Sequence, residues 1–373
     1  MKKVPLFQIF NDDDDVRAVT EVIRSGRDWS SGKIIGDLER EIASYVGTKH
    51  CVTFGSGGSA LHSTMLALGI GKGDDVLVPS FTFIATAYAP LYTGAMPRFV
   101  DIERERMGLD PSDIKRKLTS ETKAVLPIHH GGTPCLIEEI AEELDGTGVD
   151  LVEDAAEAFG SKTKGRKLGT FGRVSVFSFC QNKIFTTGEG GCVVTDDQEV
   201  ADTLRLMCSY GRVSKGDYFN TDAPVDYVMP GSNWRLSSIQ AALGLSQLKK
   251  VDRLIAMRRK VADAYCQELD GAKDIEAPVE GDWFDVHQMF TVRLKNKKLR
   301  DGLIDHLTKN GVACKVYFHL VHEYTVFKGC HAEGLEVSQD LSGKVLSLPI
   351  YPSMNDEDIS YVCQTIKEYL RGA

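Results

Sequence analysis

The sequence lacks the spacings that would make it a metal-ribbon or disulfide protein. Its nine cysteines (Cys51, Cys135, Cys180, Cys192, Cys208, Cys266, Cys314, Cys330, Cys363) are scattered with no CxxC pair and no paired metal-ligand spacing, so no metal site is expected. Thiols kept apart in this way fit a reducing cytoplasm. It has no excess of positive charge: 44 Lys+Arg against 53 Asp+Glu give −9, which opposes a chain-wide attraction to nucleic acid or to an anionic membrane. Any anionic ligand must be held locally. No clean membrane span is present either. The longest uncharged stretch, Val76 to Pro97, runs 22 residues but contains Pro79, Pro90, Gly94 and three threonines, and so reads as strand, turn and helix. The opening MKKVPLFQIFNDDDD has two lysines but meets its acids before any long apolar run, unlike a signal peptide. Internal repeats and low-complexity linkers are also missing.

What is present is an ordinary globular composition, 42% hydrophobic over 373 residues, enough for a large core and more than one domain. Val16, Val19, Val22 and Ile23 recur at helical spacing after the acids, predicting an opening amphipathic helix. Short apolar runs then alternate with helical patterns: 51–54 and 60–68, 76–78 and 83–92, 99–102 and 111–118, 124–128 and 136–144, then 151–152. That order predicts an α/β fold with a mostly parallel central sheet and helices on both faces. Strands at 174–179 and 192–195 precede helices from Val200 and Leu236. The helical segment 251–269 should lead into a smaller C-terminal α+β domain, with strands at 289–294, 312–318 and 345–348 and helices at 303–307 and 359–370. The division expected is 1–250 for the large domain with its N-terminal helix, and 251–373 for the small one.

Three features carry chemistry. Residues 54–60, FGSGGSA, form a glycine-rich turn between strand and helix, where backbone amides can close around a phosphate. The plain reading is a turn, and neither GxxxxGK[ST] nor GxGxxG is matched. Glu153 and Asp154 end an apolar strand, where open parallel sheets bind ligands; an Asp there also serves as a helix cap. Lys183 follows the strand in FSFCQNK; a lysine in that place is usually solvated, but among apolar neighbours it can act as an amine nucleophile. Together they are the parts pyridoxal phosphate requires: an anion cradle, a partner for the pyridinium nitrogen, and an amine 29 residues beyond Asp154.

With those residues in view, the chain resembles the DegT/DnrJ/EryC1/StrS family of sugar aminotransferases, of pyridoxal-phosphate fold type I. Six ordered motifs carry the resemblance: GSGGSALHSTMLALGIGKGDDVLVPSFTFIATA, VEDAAEAFGS, KLGTFG, FSFCQNKIFTTGEGG, GSNWRLSSIQAALGLSQL and SGKVLSLPIYPSMNDEDI. It implies a homodimer with active sites shared between subunits. Lys183 matches the Schiff-base lysine, which also moves the proton, and Asp154 the acid on the pyridinium nitrogen. Phe83 matches the residue stacked on the cofactor ring; Gly57, Gly58 and Ser59 match the phosphate turn, and Ser178 a hydroxyl donor to it. Asn233 matches an asparagine reaching the phosphate from the neighbouring subunit. His322, or His319 in its place, resembles a small-domain histidine facing the sugar nucleotide, and Glu189 of TTGEGG belongs on the substrate side.

Two positions depart from the common pattern. Gly58 stands where many members have Thr, removing a hydroxyl for which Ser59 can compensate. Glu157 stands where Gln or His is common beside the phenolic side of the cofactor, which is similar to the perosamine-synthase-like branch and leans the acceptor towards a 4-keto-6-deoxyhexose. Members that are dehydratases carry His in place of the lysine. The resemblance therefore implies an aminotransferase moving an amino group from an amino acid, with glutamate the expected donor, to a nucleotide-diphosphate keto sugar. The alternatives are another cyclic ketone, such as an inosose, and a regulatory protein that binds the cofactor without turnover.

Overall fold

The computed structural model describes residues 2–214, 224–279 and 281–372. The opening acids start a helix as their placement predicts: Asp12 caps α1 (Asp13–Ser25) and forms a capping box with Asp15. A second helix, α2 (Lys33–Val46), was not anticipated. Gly32 gives it no side-chain cap, yet Leu38, Ile42, Ala43 and Val46 are buried along one face, so tertiary packing holds what local signals do not announce.

A seven-stranded sheet follows, built from β1 (His50–Phe54), β2 (Asp75–Pro79), β3 (Met96–Val100), β4 (Thr122–Val125), β5 (Asp150–Asp154), β6 (Val174–Ser178) and β7 (Gly191–Thr195). Their order across the sheet is β1-β7-β6-β5-β4-β2-β3. Every pairing is parallel except those of β7, which runs antiparallel to both β1 and β6. Alternate residues serve opposite faces. Leu77, Val125 and Phe177 pack with α2, α6 (Ile137–Leu144) and α8 (Ser238–Leu248). Val76, Val78, Ala124 and Val176 pack with α3 (Gly57–Ala67), α4 (Ile84–Thr93) and α7 (Gln198–Met207). Helix α5 (Pro111–Lys117) lies beside β3 and α6. The parallel strands all end on one edge, and the β6–β7 connection, residues 179–190, stays on that edge because β7 runs back.

A smaller three-stranded antiparallel sheet, β8 (Ile275–Glu276), β9 (Phe290–Leu294) and β10 (Val345–Leu348), packs with α10 (Lys297–Lys309) and α12 (Asp356–Gly372); α11 (Glu336–Ser342) leads into β10. The strand expected at 312–318 does not form. The segment is instead held by isolated bridges, Val4 to Val312 and Lys315 to Ser347. Two segments cross the expected division at residue 250. Helix α9 (Val251–Leu269) gives Leu254 and Ile255 to the core of the large sheet, and Tyr265 and Leu269 to that of the small one. The stretch before α1 lies on the small sheet, where Ile350 donates its N–H to the Leu6 carbonyl at 3.1 Å. All nine cysteines are free thiols, and no described helix is long and apolar enough to cross a membrane.

Candidate active site

The loop carrying Lys183 is pinned at both ends. Phe179 N–H donates to the Gly190 carbonyl at 2.9 Å, and Thr187 N–H to the Phe179 carbonyl at 3.1 Å. Phe179 and Phe185 are buried with ring centroids 4.6 Å apart, so aromatic packing on either side of the lysine fixes the loop's path. The Lys183 side chain is 14% exposed, and its Nζ lies 3.3 Å from Glu157 Oε1. The other oxygen of Glu157 accepts the Gly131 N–H at 2.9 Å, which orients the carboxylate toward the amine.

Asp154 ends β5 on the same edge and is buried. Thr86 Oγ1 donates to Oδ2 at 2.7 Å, and the Ala156 N–H to Oδ1 at 3.2 Å. Thr82 Oγ1 sits 2.7 Å from Thr86 Oγ1, completing a short hydroxyl chain. Burial pushes the Asp154 carboxyl up from its ordinary range; the Thr86 and Ala156 donors and the Lys183 charge oppose this, while Glu157 adds to it. The net shift is upward. The neighbouring Glu153 faces the other way and accepts five donors, from Gly169, Phe171, Gly172, Ser175 and His129.

The glycine turn becomes the start of α3, capped by Ser56, whose side chain accepts the Ser59 N–H at 3.0 Å. A Cβ on Gly57 would stand 3.0 Å from Ser178 Cβ, and one on Gly191 only 2.7 Å from the Gly57 nitrogen. Glycine at both places lets the helix start approach the end of β6. Gly58 is open, with nothing nearer to its Cβ position than 3.9 Å. The result is a notch at a positive helix end, flanked by the Ser59 and Ser178 hydroxyls.

The remaining expected residues ring this edge. Phe83 immediately precedes α4 and is 58% exposed, its ring 6.3 Å from that of Phe318. His322 Nδ1 is 2.6 Å from Ser80 Oγ at the end of β2, and burial lowers the imidazole's proton affinity. His319 is exposed. Glu189 accepts a hydrogen bond from the Cys180 thiol at 3.5 Å. Asn233 is exposed and does not cap α8, which Ser237 caps; its neighbour Trp234 accepts the Gly55 N–H at 2.6 Å, so Asn233 stands beside the glycine turn of its own chain. The structure thus brings Lys183 to Glu157 and Gly57 to Ser178, and leaves Asn233 turned outward.

The residues present fit pyridoxal phosphate. The notch takes a phosphate, Asp154 keeps lone pairs free with one donor on each oxygen, and Lys183 supplies a primary amine. Sequence reasoning missed Thr86 and Gly131. The threonine pair of Ser80-Phe81-Thr82-Phe83-Ile84-Ala85-Thr86 is spaced four apart, a helical interval that could have marked Thr86. Gly131 acts through its backbone, which leaves no side-chain signal.

The family model for the DegT/DnrJ/EryC1/StrS aminotransferase family matches residues 10–367. GDP-perosamine synthase of Escherichia coli O157:H7 is 34% identical over 369 residues, covering 99% of both chains. GDP-perosamine synthase of Vibrio cholerae is 33% identical over 375 residues, covering 98% of this chain and 99% of its own. Among solved structures, DesV of S. venezuelae superposes with a TM-score of 0.90 at 33% identity, covering 99% of each chain. A match of this extent, over a sheet edge furnished for the same cofactor, means that the chain belongs to the DegT/DnrJ/EryC1/StrS family and is a pyridoxal-phosphate-dependent aminotransferase.

Proposed function

We propose that the enzyme transfers the amino group of glutamate to a nucleotide-diphosphate 4-keto-6-deoxyhexose, in the reducing cytoplasm and as a homodimer with shared sites. The observation that carries the assignment of residues is the Lys183–Glu157 pair, 3.3 Å apart, on the same sheet edge as buried Asp154 and the notch of α3. The names of the perosamine-synthase relatives support the acceptor class.

When bound, pyridoxal phosphate supplies an aldehyde and a ring that accepts the electron pair of a broken C–H bond. The chain's residues do the rest. Gly57, Gly58, Ser59 and Ser178 would hold the phosphate, and Phe83 would pack against the ring. Asp154 would hold the ring nitrogen's proton, and Thr86 fixes the orientation of that carboxylate. Lys183 Nζ would hold and move the proton of the substrate carbon, and Glu157, 3.3 Å away, would hold that amine in place. His322 and Glu189 meet the sugar nucleotide. The bound cofactor would carry the amino group between the two substrates and Lys183 would serve both in turn, an arrangement that suits a ping-pong order.

Glutamate with a panel of nucleotide keto sugars, followed by 2-oxoglutarate release, tests the acceptor: turnover confined to ketones without a nucleotide would defeat the reading. For the shared site, a Lys183→Ala chain mixed with an Asn233→Ala chain should regain part of the activity, because one site of each heterodimer then carries neither lesion. Verified heterodimers of folded parents that stay inactive would count against it.

A further inference from the structure

The back of the Lys183 loop is tied to the smaller sheet. Gln288, two residues before β9, is 5% exposed and donates its Nε2–H to the Asn182 carbonyl at 2.7 Å, the peptide that leads into Lys183. It belongs to a junction, residues 285–289, fastened to the large sheet's loops. Thr133 Oγ1 donates to Asp285 Oδ2 at 2.5 Å, and Met289 N–H to the Gly131 carbonyl at 3.0 Å. Gly131 is the residue whose own N–H orients Glu157. One short segment therefore touches the supports of both members of the Lys183–Glu157 pair.

Arg258 of α9 holds this junction from behind. It is 3% exposed and donates through Nη1 to the carbonyls of His287, Gln288 and Ile350 at 3.3, 3.4 and 3.3 Å. Among the described residues no carboxylate pairs with it, and burial pulls the guanidinium down to about 10. Among the described residues its Nε and Gln288 Oε1, both buried, have no partner, and both residues line one cavity of about 20 Å³, together with Asn182 and Tyr317. One orphan is a donor and the other an acceptor. The cavity has room for one water, and a water placed between them would satisfy both.

We propose that Gln288 is a positioning residue for Lys183, holding the Asn182–Lys183 peptide in place, and that Arg258 and one buried water hold Gln288 in turn. The proposal rests on Lys183 being the cofactor lysine. Its consequence is that the smaller sheet sets the reach of the lysine without touching it.

Gln288→Glu separates this role from a merely structural one. The substitution places a carboxylate against the uncompensated Arg258 but removes the donor to Asn182. The expected result for the holoenzyme is a Tm at or above that of the parent, with kcat lowered about tenfold, as the loss of one buried hydrogen bond implies, and KM for glutamate little changed. The rate at which cofactor-free protein gains visible absorbance with pyridoxal phosphate should fall with kcat. Parent-like kcat and uptake in the folded variant overturn the proposal, as does a kcat that merely follows Tm. If Gln288→Glu does not fold, Gln288→Met decides by the same two rates. Borohydride reduction and peptide mapping keep the failures apart: a label away from Lys183 defeats the lysine assignment, whereas a label on Lys183 with parent-like rates defeats the role of Gln288 alone.

Discussion

Glu153 and Asp154 are adjacent carboxylates at the end of one strand, and they live in opposite worlds. Glu153 takes five donors, among them His129 Nε2 at 3.2 Å, whose ring is oriented by the Cys135 N–H on Nδ1. Burial pushes its carboxyl up, but His129 and the amides of Gly172 and Gly169 outweigh that and hold it below the ordinary range. Asp154, equally buried, has two donors and is shifted upward. A saturated carboxylate is a hub of the fold, whereas one with unspent lone pairs on a ligand-binding edge can accept from a ligand.

The contrast can be broken most decisively at Asp154. Asp154→Asn should lower turnover on the order of 10³-fold, because the amide no longer offers the ring nitrogen a counter-charge, while the thermal midpoint of the cofactor-free protein holds or rises. Steady-state kinetics alongside calorimetry check both halves; near-normal turnover would reduce Asp154 to a capping residue. Glu153→Gln should do the reverse. The Gln amide meets buried donors where a carboxylate oxygen accepted them, and each buried group left unpaired costs about 1–3 kcal/mol, so denaturant unfolding should show a large loss, and any protein that remains folded should keep its kcat within a few fold.

Thr86→Val sharpens the comparison at intermediate size. The shape is kept and one charge-assisted hydrogen bond to Asp154 is lost, about 1.5–3 kcal/mol, so turnover should fall ten- to a hundredfold with little change in KM. Unchanged kinetics would mean that Ala156 alone orients the carboxylate. The smallest effect is in pH. A carboxyl whose folded value is raised binds its proton more tightly when folded, so this group's contribution to stability falls as pH climbs from the unfolded value near 3.8 through the folded one. Cofactor-free Asp154→Asn lacks that fall. Its stability relative to the parent should rise over that window and then level off, and unfolding curves at several pH values would reveal a flat difference if Asp154 were unshifted.

Much of this was legible in the chain. Lys183, Asp154 and the FGSGGSA turn announce themselves by chemistry at strand ends, and alternation located nearly every strand of the large sheet. Helix α2 was not legible, because Gly32 and Gly36 blur its start and only burial of Leu38 and Ile42 fixes it. The apolar run of 312–318, broken only by Lys315, imitates a strand, but the chain beside it offers single bridges rather than a ladder. Which of two neighbouring acids is the hub depends on donors from Gly169, Phe171 and Gly172, backbone groups that carry no side-chain signature.

The reversed direction of β7 has a consequence for how the molecule assembles. Among the described residues β1 joins the sheet only through β7, so the first strand gains its sheet partner when nearly the whole large sheet has been synthesised. The notch at the end of β1 and the lysine loop at the start of β7 are thereby completed in one event, after the strands β2 to β6 can already have paired. Such non-local closure is slow to form. A chain interrupted before residue 191 can hold a partial sheet but no cofactor site, which makes acquisition of the cofactor a report that folding of the large sheet has finished.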